Sequence, residues 1–182
     1  MDSVIIISSP GNKNMTRQVT RVLTSVMSGI LVSGNSARSF LKADKPPRLL
    51  MELEQPENLT LDRAVLIFDS GVPAGDLALK GRFVAVTASD NHDAIKLLKK
   101  KKIPTLICGM SSKDTVSLSS RGEGSACVCL QRGIESLSGE AFEPGEIAVK
   151  YKGELSEYAI MAAAVTLVLC GALPEGEVVE FF

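Results

Sequence analysis

The sequence predicts one α/β domain over residues 1–182, built as a three-layer, mostly parallel sheet with a small C-terminal antiparallel annex and a closing helix. Short apolar runs rich in β-branched residues alternate with segments whose apolar residues recur at helical spacing, a pattern typical of a parallel sheet covered by helices. A chain of 182 residues buries roughly 70% of the surface that it exposes when unfolded, which suits a single domain. We find no internal repeat, low-complexity tract or inter-domain linker in it.

The first element is a strand from Val4 to Ser8, whose unbroken apolar run is typical of a strand buried on both faces. Helical spacing of the apolar residues then predicts a helix from Met15 to Met27. The apolar run Ile30-Leu31-Val32 is short and passes into a loop rich in Ser and Asn. The later parallel strands are predicted at Arg48–Leu53, Ala64–Phe68, Phe83–Thr87 and Thr105–Cys108, with a helix from Asn91 to Lys101 before the last of them.

Beyond Gly109 the pattern changes to strands separated by Gly-rich or acidic turns, with no helix between them. These strands are predicted at Val116–Leu118, Ala126–Leu130 and Glu146–Tyr151, and they form the antiparallel annex. The closing helix runs from Ser156 to Cys170 and ends at Gly171, in the position of a C-terminal cap, with Pro174 beyond it.

Composition excludes several classes of partner. The chain is 45% hydrophobic and 23% charged, with a net charge of -1, and it lacks the basic excess that would attract nucleic acid or an anionic membrane. The only charge cluster, Lys96 and residues 99–102, lies at the end of a predicted helix, where cations complement the helix dipole. This favours a solvated face over a phosphate or partner site.

No segment predicts export or a membrane span. The apolar run at residues 4–7 is short and has no basic region before it. The longest apolar stretch, Ala159 to Leu173, falls short of the roughly 20 residues that cross a bilayer. We therefore expect a cytoplasmic protein.

The four cysteines, Cys108, Cys127, Cys129 and Cys170, lie in apolar segments, far in sequence from the single histidine, His92. Zinc sites usually pair cysteines in loops with two to four residues between them, whereas Cys127 and Cys129 have one residue between them and belong to a strand pattern. Reduced core thiols are therefore favoured over a metal or redox pair.

The loop after the first strand carries the strongest motif, Ser9-Pro10-Gly11-Asn12-Lys13-Asn14-Met15-Thr16-Arg17. It resembles the phosphate loop of the Mur ligase family, Thr-Gly-Thr-x-Gly-Lys-Thr-Thr, which opens the ATP-binding middle domain of those enzymes. Lys13 then stands at the phosphate-binding lysine, and Thr16 enters the helix as the family's threonines do. Backbone N–H groups at such a helix start bind phosphate.

The resemblance also shows where the motif is altered. Ser9 and Asn12 stand at glycine positions, and Asn14 replaces the hydroxyl residue that would bind Mg²⁺. Asn tolerates left-handed backbone, so the loop shape can persist without the metal chemistry. The resemblance thus implies nucleotide-binding positions at Ser9, Gly11, Asn12, Lys13, Asn14 and Thr16.

The next two strands end in carboxylates that the resemblance makes metal ligands. Glu52, with Glu54 as the alternate, matches the family's metal-binding glutamate, while an ordinary solvated strand end explains it equally well. Asp69 follows the strand that leads to the family's Asn-x-x-x-Asp-His motif, whose histidine is absent here. Ligand groups lie at such strand ends in α/β sheets, although Asp69 could simply begin a turn.

Asp90 is the last nucleotide-binding position that the resemblance implies, in a segment similar to the family's Val-x-Asn-x-Asp-Asp. We favour an N-cap and first helical turn for residues 90–93, and a surface position for His92. The strand that ends at Gly109 resembles the family's strand ending in Phe-Gly. The closing helix is similar to the family's Gly-x-His-Asn-x-x-Asn-x-x-Ala-Ala segment with its His and Asn positions lost, while Ala159, Ala162 and Ala163 remain.

The resemblance covers nearly the whole chain in the correct order. It implies a non-catalytic binding or assembly domain with weak phosphate or nucleotide binding, for which ATP and Mg²⁺ are the cofactors to consider. The alternative is an ATP-dependent, ligase-type enzyme subunit whose substrate domains come from a partner. A structural domain with an empty cleft is the third reading. The expected partners are a phosphate-containing small molecule and a protein or second copy of the chain, without nucleic acid or membrane.

Overall fold

The computed structural model describes residues 2–11, 13–42, 45–69, 77–173 and 178–181. Asn12, a predicted nucleotide-binding position, and Pro174, predicted to follow the closing helix, lie outside the described residues. The described helices are α1 (Asn14–Val26), α2 (His92–Lys100) and α3 (Glu157–Leu169). The described strands are β1 (Ser3–Ser8), β2 (Ser28–Ser33), β3 (Ser36–Phe40), β4 (Pro47–Glu54), β5 (Asn58–Phe68), β6 (Ala78–Ala88), β7 (Thr105–Cys108), β8 (Val116–Gly122), β9 (Ser125–Leu130), β10 (Ile134–Glu135), β11 (Ala141–Phe142), β12 (Gly145–Tyr151) and β13 (Val178–Phe181).

Most of these strands form one mixed, mainly parallel sheet, as predicted. Its order is β13-β12-β9-β8-β7-β6-β5-β1-β4-β2-β3. β1 is central and pairs in parallel with β4 on one side and β5 on the other. The chain therefore leaves β1 towards one half of the sheet and later returns to build the other half. In α/β sheets, ligands bind at the carboxyl ends of the strands where the strand order reverses in this way.

The two faces of the sheet are covered by different helices, which gives the three layers. Alternate residues of β1 point to opposite faces. Val4 and Ile6 pack in the core that contains α1 and α3, whereas Ile5 and Ile7 pack in the core that contains α2. The unbroken apolar run of β1 is thus explained by burial on both sides.

Helix α3 is apolar around its whole circumference because the sheet and α1 cover it. All its residues from 159 to 169 are buried, and such helices belong to a protein interior. Its C-terminus is closed by Gly171 at φ +56°: Gly171 N donates to the carbonyl of Val168, and Ala172 N to that of Leu167. The predicted glycine cap is therefore confirmed. No helix in the described ranges is both long and apolar enough to span a bilayer.

The polar segment after Val32, expected to be a loop, is instead the second arm of a hairpin. β3 pairs antiparallel with β2 around the turn at Gly34 and Asn35. Most of β3 is exposed, so its residues carry no apolar alternation from which a strand could be predicted. β5 and β6 also begin earlier than expected, since their first residues, at 58–63 and 78–82, are largely polar and exposed.

The C-terminal strands extend the main sheet and do not form a separate one. β9 pairs antiparallel with both β8 and β12, as the annex prediction requires. β8 continues from β7 in parallel, and β13, which the sequence did not predict, adds to β12 in parallel. Only β10 and β11 form a small sheet of their own.

Candidate functional site

The candidate site lies where β1, β4, β5 and β6 end together at the carboxyl edge of the sheet. The loop after β1 leads into α1, and the ends of β4 and β5 carry Glu54 and Asp69. α2 begins just beyond β6. Polar side chains from separate elements therefore meet at one edge of the sheet. They are those of Lys13, Thr16, Glu54, Asp69 and Asn91.

The loop at residues 9–13 turns the chain from β1 into α1. Ser9 is half-buried and Gly11 is exposed at φ +88°, a backbone conformation that costs glycine little and other residues more. Apart from Gly11 and its two chain neighbours, no heavy atom of the described chain lies within 4 Å of where a Cβ on Gly11 would stand. The loop is thus open to solvent at its tip.

The N-terminus of α1 has no side-chain cap at its N-cap residue. Lys13 is the N-cap residue and makes no side-chain capping bond, and the first turn contains no acidic residue. The first N–H groups of a helix have no partner within the helix, and together with the helix dipole they attract anions. Asn14 accepts a 3.4 Å hydrogen bond from the Gln18 amide one turn later.

Lys13 forms an ion pair with Glu54. Its ammonium group contacts Glu54 Oε1, and the two side chains are 36% and 43% exposed. Exposed pairs of this kind contribute little to stability. The pair nevertheless places a carboxylate beside the only cation of the loop, and this reduces the attraction that Lys13 offers to an anion.

Asp69 joins the end of β5 to both neighbouring helices. The residue is 5% exposed, and its Oδ2 accepts a 3.2 Å hydrogen bond from the buried Thr16 hydroxyl on α1. Its carbonyl oxygen accepts a 3.0 Å bond from the Asn91 side chain, and its N–H donates to the carbonyl of Ile7. Asp69 thus connects the end of β5 to β1, to α1 and to the N-cap residue of α2.

Glu52, like Asp69, contacts α1, but it does so one helical turn closer to the C-terminus of that helix. Its carboxylate accepts hydrogen bonds from the hydroxyls of Thr20 on α1 and Ser33 on β2. Thr16 and Thr20 lie four residues apart on α1, so the two predicted metal ligands share one helix face. Within the described ranges, no group of three or more His, Cys, Asp or Glu residues could hold a metal ion.

Asp90 lies on the rim of the site and does not cap α2. It is exposed, and its carbonyl accepts from the N–H of His92. Asn91 is the N-cap: its side chain accepts a 3.1 Å bond from Ala94 N while donating to Asp69. The segment therefore caps the helix as favoured, with Asn91 as the capping residue and His92 exposed.

Tyr158, which the sequence did not single out, closes the inner side of this edge. Its hydroxyl donates to the carbonyls of Phe68 at 2.5 Å and Val86 at 3.2 Å, at the ends of β5 and β6. Burial raises the pKa of Tyr158 well above its ordinary value, and the neighbouring Cys108, Asp69 and Asp90 add to the shift. The phenol therefore keeps its proton and acts as a fixed donor. A tyrosine in the first turn of an otherwise apolar helix was the signal available in the sequence.

The cysteines and the lysine cluster lie away from this edge or within the core. All four cysteines are free thiols, in agreement with the expectation of reduced thiols. Burial raises the pKa of Cys108 far above its ordinary range and that of Cys170 to about 12. The lysine side chains at residues 96 and 99–102 are exposed on and after α2, consistent with a solvated face.

Comparison with known proteins identifies the fold. No family model and no curated protein sequence matches the chain. Among solved structures, the chain is similar to a MurF ligase from Thermotoga maritima in complex with ADP, with 17% identity, a TM-score of 0.51, and coverage of 97% of this chain and 46% of that one. It is similar to the UDP-N-acetylmuramate:L-alanyl-gamma-D-glutamyl-meso-diaminopimelate ligase from Neisseria meningitides, with 15% identity, a TM-score of 0.53, and coverage of 92% and 61%.

A murein peptide ligase from Psychrobacter arcticus gives 9% identity and a TM-score of 0.52, with coverage of 92% of this chain and 44% of that one. The chain thus spans roughly half the length of the ligases that it matches. These likenesses confirm the fold that the resemblance implied, the α/β fold of the Mur ligase middle domain.

Proposed function

We propose that this chain, whose fold is that of the Mur ligase middle domain, is a non-catalytic binding or assembly domain with weak affinity for a phosphate group at residues 9–14. The observation that carries the proposal is the uncapped start of α1, which follows an open glycine turn at the carboxyl edge of the sheet. Unpaired N–H groups and the helix dipole bind phosphate at such positions. One of the similar structures is described as a complex with ADP.

The Lys13–Glu54 pair sets the expected strength of this site. A bound phosphate would lie near both partners of the pair, so that part of the gain from Lys13 is offset by repulsion from Glu54. Pro10 also removes one N–H donor from the loop. We therefore expect a dissociation constant near 1 mM, which corresponds to about 4 kcal/mol of binding free energy.

The arrangement of the carboxylates supports a role without catalysis. Mg²⁺-dependent phosphoryl transfer needs a metal ion held against the phosphates. Glu52 and Asp69 supply the oxygen ligands that Mg²⁺ prefers, but each carboxylate is engaged by hydroxyls from α1 or β2 and the two belong to separate hydrogen-bonded groups. Asn14 offers an amide where a hydroxyl ligand would stand. These residues do not form a shared metal site, and we derive no metal-dependent step.

Isothermal titration with ATP, ADP and inorganic phosphate, each with and without Mg²⁺, tests the phosphate site. We expect millimolar binding to the parent protein and at least about tenfold weaker binding to Lys13→Ala. Glu54→Gln should bind more tightly than the parent, because it removes the competing carboxylate and leaves Lys13 in place. Lys113→Ala, which removes an exposed lysine elsewhere, is the matched control. If no ligand binds at millimolar concentration, or if Lys13→Ala binds like the parent, the phosphate site is wrong.

An assay of phosphate release with the same purified proteins tests the enzymatic alternative. The observation that favours this alternative is that Glu52 and Asp69 both contact one face of α1. Given ATP, Mg²⁺ and candidate cell-wall precursors, the protein should release no phosphate above background. Steady turnover that Glu52→Gln abolishes would replace the binding role with that of an ATP-dependent ligase-type subunit.

A further inference from the structure

A second concave site lies between α1 and the β2–β3 hairpin, on the sheet face that α1 covers. Its volume is about 690 Å³, within the range of pockets that bind small molecules. Glu52 forms part of its wall, whereas Lys13 and the other described residues of the loop, 9–11, do not line it. The cavity, hereafter the hairpin groove, is therefore distinct from the proposed phosphate site.

The walls of the hairpin groove follow directly from helix and strand geometry. Arg17, Thr20, Arg21 and Thr24 line it from α1, and their spacing of three and four residues places them along one stripe of the helix. On the hairpin side, Arg38 is paired across the strands with Leu31, and Ser36 with Ser33. Lys42 lines the groove just beyond β3.

The groove concentrates positive charge in a chain whose net charge is -1. Its described lining residues include four cationic side chains, those of Arg17, Arg21, Arg38 and Lys42, and one carboxylate, that of Glu52. Arg21 uses one N–H group to bond the carbonyl of Lys152 at 3.1 Å. As far as the described part of the chain extends, the side chains of Arg17, Arg38 and Lys42 have no ion pair or hydrogen bond. Three cations thus line the groove without an ion pair to any described residue.

The hydroxyl groups in the groove are already committed as donors. Those of Thr20 and Ser33 donate to Glu52. Those of Thr24, Ser25 and Ser36 donate to backbone carbonyls of Thr20, Val22 and Ser33 at 2.8 Å each. The donors that remain for a ligand are guanidinium and ammonium N–H groups, which select anions and offer little to a neutral sugar or an apolar molecule.

We propose that the hairpin groove is a binding site for a small molecule that carries two or more phosphate charges, held by Arg17, Arg38 and Lys42 with support from Arg21. Arginine matches phosphate oxygens through paired N–H donors, and lysine adds a point charge. The carboxylate of Glu52, fixed by Thr20 and Ser33, repels an anion from its own end of the groove. The ligand therefore sits among the cations, away from the Glu52 carboxylate.

Titration of the purified chain with inorganic phosphate, pyrophosphate and tripolyphosphate at constant ionic strength tests the groove. Affinity should rise with the number of charges, and it should fall as salt is added because the cations are exposed. Arg38→Gln and Lys42→Gln should each weaken pyrophosphate binding by at least about tenfold. Both residues lie on or beyond an edge strand, so the fold should persist, and circular dichroism checks this. Arg82→Gln, which removes an exposed arginine on β6, is the charge-matched control.

Lys13→Ala separates this proposal from the loop site. If pyrophosphate binding survives Lys13→Ala and is lost in Arg38→Gln, the groove assignment is supported whether or not the loop binds phosphate. Binding that is lost in Lys13→Ala and unchanged in Arg38→Gln places the anion at the loop and overturns the groove. An equal loss in Arg82→Gln, or no binding of any probe at millimolar concentration, overturns it as well.

Discussion

At the scale of single residues, the buried Arg48 shows how one polar side chain ties distant parts of the chain together. It is 6% exposed at the start of β4. Its guanidinium donates to the carbonyl of Pro46 at 3.2 Å and to that of Cys170 at the end of α3. A cation at the C-terminus of a helix also complements the helix dipole. Arg48 therefore fixes α3 against the sheet.

Replacing Arg48 by Met should destabilise the protein by about 2 kcal/mol, because the C-terminal carbonyl of α3 loses its buried charged partner. The apolar stem of Met fills part of the same space, so that the loss reflects the hydrogen bonds more than a cavity. Urea denaturation of the parent, Arg48→Met and the exposed control Arg82→Met measures the difference. The role assigned to Arg48 does not hold if its substitution costs no more than that of Arg82, for which we expect a change within about 0.5 kcal/mol.

At the scale of elements, the N-cap residues of α2 and α3 differ in the hydrogen-bond partners of their side chains. The side chain of Ser156 accepts one bond from Ala159 N at 3.2 Å, within its own helix, while its backbone N–H donates to the Gln18 side chain on α1 at 2.8 Å. Asn91 caps α2 and also donates to the carbonyl of Asp69, so it joins α2 to the end of β5. Both residues stand where the sequence predicts a helix start, but only the structure shows that the side chain of Asn91 also bonds a second element.

We expect Ser156→Ala to cost about 1 kcal/mol, the usual effect of losing a cap. Asn91→Ala should cost about 2 kcal/mol, since it also leaves a buried carbonyl without its donor. Asn91→Asp keeps the capping oxygen and loses the donor, so its stability should lie between those of Asn91→Ala and the parent. Thermal and urea denaturation of the three variants checks this ranking. Equal losses for Ser156→Ala and Asn91→Ala would mean that the bond to Asp69 contributes nothing.

At the scale of the whole molecule, the buried thiols link stability to pH. Cys108 and Cys170 stay protonated in the native core because burial raises the pKa of both thiols, that of Cys170 to about 12. In the unfolded chain both return to an ordinary thiol pKa of about 8.5. The unfolded state therefore releases protons that the native state keeps, and the free energy of unfolding falls as pH rises through this window.

Below about pH 8 the two thiols should not change the free energy of unfolding with pH. Between about pH 9 and 11 each thiol should lower the free energy of unfolding by up to about 1.4 kcal/mol per pH unit. Urea denaturation at several pH values, for the parent and for the double variant Cys108→Ala with Cys170→Ala, isolates this contribution from that of lysines and tyrosines. The variant should show the shallower decline above pH 9. Parallel curves would show that the two thiols do not titrate differently in the native and unfolded states.

The site itself could be predicted from the sequence only in part. The positions of Lys13, Thr16, Glu52 and Asp69 at strand ends and at a helix start follow from local pattern, and the structure places them at one edge of the sheet. Their partners do not follow from local pattern. That Lys13 pairs with Glu54 and Thr16 with Asp69 depends on β1 lying between β4 and β5, which no single segment encodes.

The sequence alone determined the elements in which the spacing of apolar residues reflects how the element is buried. β1 and β7 are unbroken apolar runs, α1 has an apolar stripe, and α3 is apolar throughout and ends at a glycine. Each kind of burial leaves its own local pattern of apolar residues, and this pattern can be recognised in the sequence. The tertiary structure decided the polar strand β3, the parallel addition of β13, the burial of Arg48 and the hairpin groove. Each of these depends on which distant segment lies opposite, and strand pairing and charge clustering across space leave no period in the chain.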